Sequence, residues 1–401
     1  MGDNITITEK IFDFILRTNV KSGVGVLGQL PDLLEERNFK RIGFVIDGNL
    51  YNNIPSLKNL VAKCRVKFGS VLVHLYQEPG EPTYQYLDQV KLDFKEGKNP
   101  LVDCLVGIGG GSAIDLAKGI ATLATNHGKA IEYLGFPKGL NPSIPVIAVP
   151  STAGTGTELA YNAVFIDTDS MTKLGINTTN NYPVLSLLDP EIVSSAPRSV
   201  IIASGTGALG RSLETFVTPV GNEISRIFSK EAFRLIMSAL PKVLSNPKDM
   251  EEWSRMQWGA FFSMAALSNS SSGAAGPICY YLATNCDVPQ GLGLGMSAVR
   301  FARLNHERGY YGYEELFELL DTTSEKPGSK LEKSGYVVER VEQLFNEIKV
   351  PQDLSSFNIN PLHYKSLYEF CTVTAKGAFA NNPIQLDNEE IGKTIRSLLV
   401  D

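Results

Sequence analysis

From residue 41 to residue 150 the hydrophobic positions fall into two alternating patterns. Four short apolar runs, 41–48, 70–76, 101–108 and 144–150, read as strands, and the stretches near 51–67, 83–97 and 112–126 carry apolar residues at helical spacing. Strand and helix in regular succession predict a parallel sheet with helical crossovers, in which ligands gather outside the C-terminal ends of the strands. Residues 165–167 and 171–176 read as a hairpin around a polar turn, and 185–188 as a further strand before Asp189-Pro190. After Pro197 the period is helical: 199–217, 223–242, 250–268, 273–285, 290–304, 312–320, 335–348, 361–376 and 387–399. At 401 residues the chain exceeds one typical core. The division predicts a Rossmann-like, parallel-sheet α/β domain over 1–190 and an all-helical domain over 191–401, with no internal repeat.

The most specific feature of the first half is Val106-Gly107-Ile108-Gly109-Gly110-Gly111-Ser112, followed by apolar positions at Ile114, Leu116, Ala117, Ile120 and Ala121. It reads as strand, bare turn, helix. Glycines let a ligand approach the backbone, and the N–H groups and dipole of a helix start favour an anion such as a pyrophosphate. The spacing is neither G-x-G-x-x-G nor G-x-x-x-x-G-K-[ST], so a ligand-free tight turn is the competing reading. Asp47, Gly109 to Ser112 and Ser151-Thr152 all fall at strand ends and are expected to face one crevice. An acid at Asp47 suits a ribose 2′-hydroxyl, favouring NAD over NADP, and it equally suits the Asp47-Gly48 turn.

Composition adds mainly exclusions. The chain is 43% hydrophobic and 20% charged, with a formal charge of −6 and a pI near 5.5, and no basic run marks a nucleic-acid partner. No apolar stretch is long enough to span a bilayer. The start, MGDNITITEKIFDFILRT, lacks the charge and apolar pattern of a secretory signal. Five cysteines, an odd number without a C-x-x-C pair, read as reduced thiols of a cytoplasmic protein.

The segments GIGGGSAIDLAK, PVIAVPSTAGTGTE, LLDPEIVSSAP and NNPIQLDNEEI occur in this order, with Lys173 soon after the second. Together, from about residue 20 to 399, they resemble the iron-containing alcohol dehydrogenase family, within the superfamily of dehydroquinate synthase. The resemblance implies a dinucleotide-binding α/β domain followed by a helical, metal-carrying domain, assembled as a homo-oligomer such as a dimer. It makes Gly109, Gly110, Gly111 and Ser112 the expected pyrophosphate cradle with Asp115 in the same segment, assigns Ser151, Thr152 and Thr155 to the cofactor pocket, and puts Lys173 near the nicotinamide ribose.

The departures from that family are as informative. Its metal is held by an Asp, a His four residues on, and two later histidines. Aligning SGTGALGRSLET and SNSSSGAAGPICYYL…VPQGLG puts Gly207, Arg211, Gly276 and Gln290 at those four places, and Tyr280 where another active-site histidine is common. The four histidines present, His74, His127, His306 and His363, are scattered away from them. Glycine offers no ligand atom, a Gln oxygen is a weak one, and arginine repels a divalent cation, so no iron or zinc is expected.

Arg211 is the expected substitute. It either polarises a carbonyl or pairs with a carboxylate or phosphate of the substrate. Tyr280 or Tyr281, with Gln290, is the candidate proton donor, against simple core packing. Glu214, three residues beyond Arg211, reads as its orienting partner or as a structural residue. Asn269 to Ser272 and Cys279 read as a polar lining or as a helix contact. The function expected is NAD(P)-dependent, metal-independent interconversion of an alcohol and a carbonyl on a small sugar, polyol or oxo-acid; the resemblance includes metal-free reductases of the maleylacetate type. The alternative is a catalytically inactive nucleotide-binding relative acting as sensor or partner subunit. A cyclising synthase is disfavoured because that chemistry also leans on the metal.

Overall fold

The computed structural model describes residues 11–97, 99–320, 328–357 and 359–399. The first ten residues, part of the stretch read for a signal, lie outside them. The chain forms two compact units. One comprises Leu16–Thr152 and Gly156–Ala196; the other comprises Pro197 onward together with residues 11–15 and Ala153–Thr155.

The α/β unit is built on a six-stranded sheet of β1 (Asn19–Ser22), β2 (Ile42–Asp47), β3 (Val71–Tyr76), β4 (Cys104–Gly109), β5 (Val146–Pro150) and, after a separate hairpin of β6 (Asn162–Asp167) and β7 (Thr172–Asn177), β8 (Leu185–Leu188). All its pairings are parallel, in the order β1-β8-β5-β4-β2-β3. The four apolar runs between 41 and 150 all supply strands. The third starts later than its hydrophobicity suggests, at Cys104, because the Asp103 carboxylate accepts the N–H groups of Lys40 and Arg41 at 3.0 Å and holds the entry to β2. The edge strand β1 was not legible in the sequence, since Asn19-Val20-Lys21-Ser22 has one apolar residue and depends on its partner β8.

Each face of the sheet is covered. Phe44, Ile46, Val106, Ile108 and Val149 pack with Leu33 and Leu34 of α1 (Leu30–Glu36) and Leu57, Leu60 and Cys64 of α3 (Pro55–Phe68); the short helix α2 (Gly48–Asn53) lies between these two helices in the chain. On the other face Val45, Leu105 and Val146 pack with Leu87 of α4 (Tyr84–Val90) and Leu116, Ala117 and Ile120 of α5 (Gly111–Thr125). Helix α5 comes close because residue 107 is glycine: a Cβ there would stand 3.0 Å from Ala117 Cβ and 3.2 Å from Ile114 Cα. The strand order reverses between β2 and β4, so the topological switch point lies where Asp47 and Gly109 end their strands.

The helical unit contains α6 (Arg198–Val217), α7 (Glu223–Ser245), α8 (Met250–Ser268), α9 (Ala275–Asn285), α10 (Gln290–Glu307), α11 (Lys330–Glu347), α12 (Pro361–Glu369) and α13 (Asn388–Leu399). The expected helix over 312–320 is a 3-10 segment, and that over 361–376 ends as α12 and passes into a π turn at Phe370–Thr374. Among the described residues no helix is long and apolar enough to cross a membrane.

Candidate functional site

The α/β unit brings the glycine stretch and Asp47 together. Gly109 ends β4 at φ 154°, and a Cβ there would stand 2.7 Å from Ala113 Cβ and 3.0 Å from Asp47 Cβ, so only glycine fits. Gly110 precedes α5 without a side-chain cap, unlike Thr83, which caps α4 through its hydroxyl. The start of α5 is thus left to its backbone N–H groups, which is the requirement for an anion cradle. Gly109 accepts the N–H of Ser151 at 2.8 Å, and a Cβ on Gly110 would meet Thr152 Cγ2 at 3.6 Å, so Ser151 and Thr152 border the turn. Ser112 hydrogen-bonds Tyr76 at the end of β3.

The Asp47 carboxylate accepts the Leu50 N–H at 2.9 Å and caps α2. The turn reading of Asp-Gly is therefore realised, and a carboxylate with two oxygens retains acceptor capacity for a sugar hydroxyl.

Asp115, expected among the cofactor residues, is buried and bonded within the fold. Its carboxylate accepts from the Thr157 hydroxyl and, at 3.1 Å, from the Val164 N–H, tying α5 to the hairpin. Lys118, fully buried, donates to the Thr157 carbonyl (2.5 Å), the Thr157 hydroxyl (2.7 Å), the Ala160 carbonyl (2.9 Å) and the Asn162 carbonyl (3.1 Å). Burial disfavours both charges: it raises the Asp115 carboxyl and lowers the Lys118 ammonium to about 8. This network lies outside the expected site, and no sequence signal distinguished Lys118 from an ordinary helical lysine. Lys173, on β7, is buried and ion-paired with Glu81, a partner the sequence did not suggest because Glu81 stands in a polar Glu-Pro-Gly-Glu-Pro loop.

In the helical unit Arg211 is buried on α6, and its Nη1 donates to the Gly154 carbonyl at 2.9 Å and to Ser263 Oγ of α8 at 3.0 Å. Gly154 carries no side chain because a Cβ would meet the Ser204 backbone at 2.8 Å, and this packing places residues 153–155 with the helices. Thr155 belongs to the helical unit and is exposed, while Thr152 belongs to the α/β unit.

Glu214 does a different job from a simple partner of Arg211. Its carboxylate accepts the N–H groups of Ala275, at 2.7 Å, and Gly273, and so caps the start of α9 from one turn along α6. Burial raises its pKa to about 7, against the lowering effect of those bonds and of Arg211. It borders a cavity of about 10 Å³, room for about one water, with Asn305, Tyr313 and Asn382.

Tyr280 is half-buried on α9, and Gln290 opens α10 after Pro289. Tyr281 is not equivalent to Tyr280. It packs on Phe370 with ring centroids 5.9 Å apart and bonds Ser366, so its hydroxyl is used in packing α9 against the C-terminal helices. Asn269 bonds both backbone groups of Ile15 (2.7 and 3.0 Å), and Ser271 and Ser272 receive Asn381 at 2.9 Å. The packing explanation therefore holds for these residues, and the Cys279 thiol is taken by the Gly276 carbonyl at 3.1 Å.

Two family models cover nearly the whole chain: iron-containing alcohol dehydrogenase over residues 17–190, and the C-terminal region of the same family over 201–399. The chain belongs to the iron-containing alcohol dehydrogenase family. It is 28% identical over 384 residues to alcohol dehydrogenase 4 of Schizosaccharomyces pombe, covering 94% of this chain and 86% of that one. Its fold matches that of an alcohol dehydrogenase from Oenococcus oeni with a TM-score of 0.88 at 23% identity, over 97% of this chain and all of the other. A sulfoacetaldehyde reductase from Bifidobacterium kashiwanohense, solved in complex with NAD+, matches with a TM-score of 0.83 at 19% identity, over 97% and 99% of the two chains.

The family's name implies iron, and the residues in hand do not fit it. The positions that the sequence resemblance assigns to the metal, 207, 211, 276 and 290, offer two glycines, a guanidinium and an amide, a donor set without one anionic or imidazole ligand.

Proposed function

We propose that this member of the iron-containing alcohol dehydrogenase family is a NAD-dependent oxidoreductase that interconverts an alcohol and a carbonyl on a small polar substrate without a metal ion. In the oxidative direction the alcohol carbon gives a hydride to the nicotinamide of NAD+ and the hydroxyl proton leaves to a base; in the reductive direction NADH supplies the hydride and an O–H supplies the proton. The α/β unit holds the dinucleotide through the cradle of Gly109 to Ser112, with Ser151 and Thr152 beside it, and Asp47 selects NAD over NADP. Thr155 and Lys173 complete the cofactor residues.

The observation that carries the metal-free reading is Arg211, a permanent cation buried on α6 and fixed by the Gly154 carbonyl and Ser263. A fixed guanidinium supplies the electrostatic stabilisation that charge on the substrate oxygen requires, or it receives an acidic group of the substrate in a bidentate pair. Tyr280, with Gln290, supplies the proton. Glu214 positions the start of α9, the helix that carries Tyr280. The five cysteines, all buried free thiols, support a reducing compartment such as the cytoplasm, and the family supports a homo-oligomer.

The test is NADH oxidation by protein treated with chelator, over aldehydes with and without a carboxylate or sulfonate. Turnover that persists after chelation and falls at least about 100-fold in R211Q is expected, the scale of losing one oriented donor to an oxyanion. R211K separates the two roles of the guanidinium: it keeps the charge and loses the fork, so a penalty confined to acidic substrates indicates bidentate pairing. NADH binding without turnover on any substrate, metals added or not, would establish the inactive nucleotide-binding alternative instead.

A further inference from the structure

The helices that carry Gly207, Arg211 and Gln290 pack very closely. Along α6 and α10 the facing positions are small, Ala203, Thr206, Gly207 and Gly210 against Gly291, Gly295 and Ala298, with Leu294 taking part through its carbonyl oxygen. Spacings of three and four residues put each set on one helical face. The contact is backbone to backbone. A Cβ on Gly207 would stand 2.6 Å from Gly291 Cα and 2.9 Å from its carbonyl oxygen. One on Gly210 would stand 2.9 Å from Gly295 Cα, one on Gly295 would stand 2.6 Å from the Thr206 carbonyl oxygen, and one on Gly291 would run into the Ala203 carbonyl. None of these obstacles is the movable end of a side chain.

Gly207 occupies the place of the family's aspartate ligand. An Asp side chain there has to displace the α10 backbone at the residue following Gln290, which occupies another ligand place. Gly276 differs: a Cβ there meets only Ser272 Oγ, which side-chain rotation moves away, and Ser272 Cβ at 3.3 Å, a contact that a small shift relieves. The four ligand positions are therefore unequal. One is a substitution that a side chain can reverse, and one is closed by main chain.

We infer that the seat of the metal ion has been closed by the α6–α10 contact, so that restoring the four ligands does not restore metal binding. This rests on the metal-free reading of the site and goes beyond it, since ligand loss alone would leave the seat open to reversal.

The experiment compares G207A, G276A and the quadruple variant G207D/R211H/G276H/Q290H in the full-length chain. Alanine in place of a helical glycine ordinarily stabilises the helix. G276A is expected to melt within a degree or two of the parent, whereas G207A is expected to melt at least about 5 °C lower, the scale of a core overpacking defect in a chain of this size. The quadruple variant, incubated with Fe2+, Zn2+ or Co2+ and desalted, is expected to retain well under one metal per chain by elemental analysis and to show no tetrahedral cobalt absorption.

One equivalent of metal in a variant melting near the parent would overturn the inference, and so would a G207A protein as stable as or more stable than the parent. If the quadruple variant does not fold, the G207A and G276A pair still decides the point. Loss of NADH turnover on chelation of the parent would count against the proposed function and leave the closed seat, read from melting temperature, standing.

Discussion

Glu214 accepts the N–H of Ala275 at 2.7 Å, so a carboxyl on α6 holds the start of α9, 61 residues further along the chain. The same group is pushed up to about 7 by burial and stands at a cavity with room for about one water. A capping acid placed this deep is a structural asset when neutral and a burden when ionised.

The pH dependence follows from the sign of the shift. With its folded pKa above the ordinary value of 4.5, Glu214 binds more protons in the folded than in the unfolded chain between these limits. Its contribution to stability is fully present below about 4.5 and is lost as pH rises to about 7. The loss is of order 3 kcal/mol at most. E214Q keeps an acceptor for Ala275 and Gly273 and removes the ionisation. It is expected to melt higher than the parent at pH 8, with the difference shrinking towards pH 5; a constant difference across thermal melts at both ends of that range would refute the assignment.

Asp47 combines a structural and a proposed recognition role, and one substitution separates them. Asparagine caps helices about as well as aspartate, so D47N is expected to keep the bond to Leu50 and the parental melting temperature. Loss of the negative charge is expected to narrow the preference for NADH over NADPH, measured as the ratio of their dissociation constants by fluorescence titration. D47A removes the cap as well and is expected to cost about 1 kcal/mol. An unchanged NADH to NADPH ratio in D47N would remove Asp47 from cofactor selection.

The glycines of the turn are unequal in a way that alanine substitution exposes. Gly109 has φ 154° and no space for a Cβ, whereas Gly110 has φ −70° and its nearest obstacle, Thr152 Cγ2, is 3.6 Å away. G109A is expected to destabilise the α/β unit and to weaken NADH binding more than 10-fold. G110A is expected to fold as the parent does and to affect NADH only to the extent that the cofactor approaches its backbone. Calorimetric titration of both variants checks the order.

Lys118 is the interior tie of the α/β unit. K118M removes the ammonium that donates to the carbonyls of Thr157, Ala160 and Asn162, the first of which keeps only the Ala160 N–H at 3.2 Å among the bonds described, and takes from Asp115 its cation 3.7 Å away. Breaking a buried charge pair at one end costs about 3–5 kcal/mol, and urea unfolding followed by circular dichroism is expected to show a loss of that order. A K118M protein as stable as the parent would mean that these four acceptors are satisfied without the ammonium.

The sequence by itself determined the elements that local burial dictates. Apolar runs of four to eight residues become strands of a sheet covered on both faces, helical periodicity becomes helices, and their alternation requires parallel pairing with crossovers. Because ligands of such sheets collect at strand C-termini, Asp47 and Gly109 could be placed in one crevice from their positions alone, and the order of the motifs carried the family. What only the tertiary structure decided is which polar groups are consumed within the fold. Asn269 bonds Ile15 from 254 residues away, Asp115 and Lys118 close on residues about 40 positions later, and Tyr281 turns to Ser366. Periodicity records whether a side chain is buried, and it carries no information on the partner that satisfies it there. The glycines show the same limit: Gly207 reads in the sequence as a missing aspartate, and only the approach of Gly291 from the neighbouring helix makes it a position with no room for one.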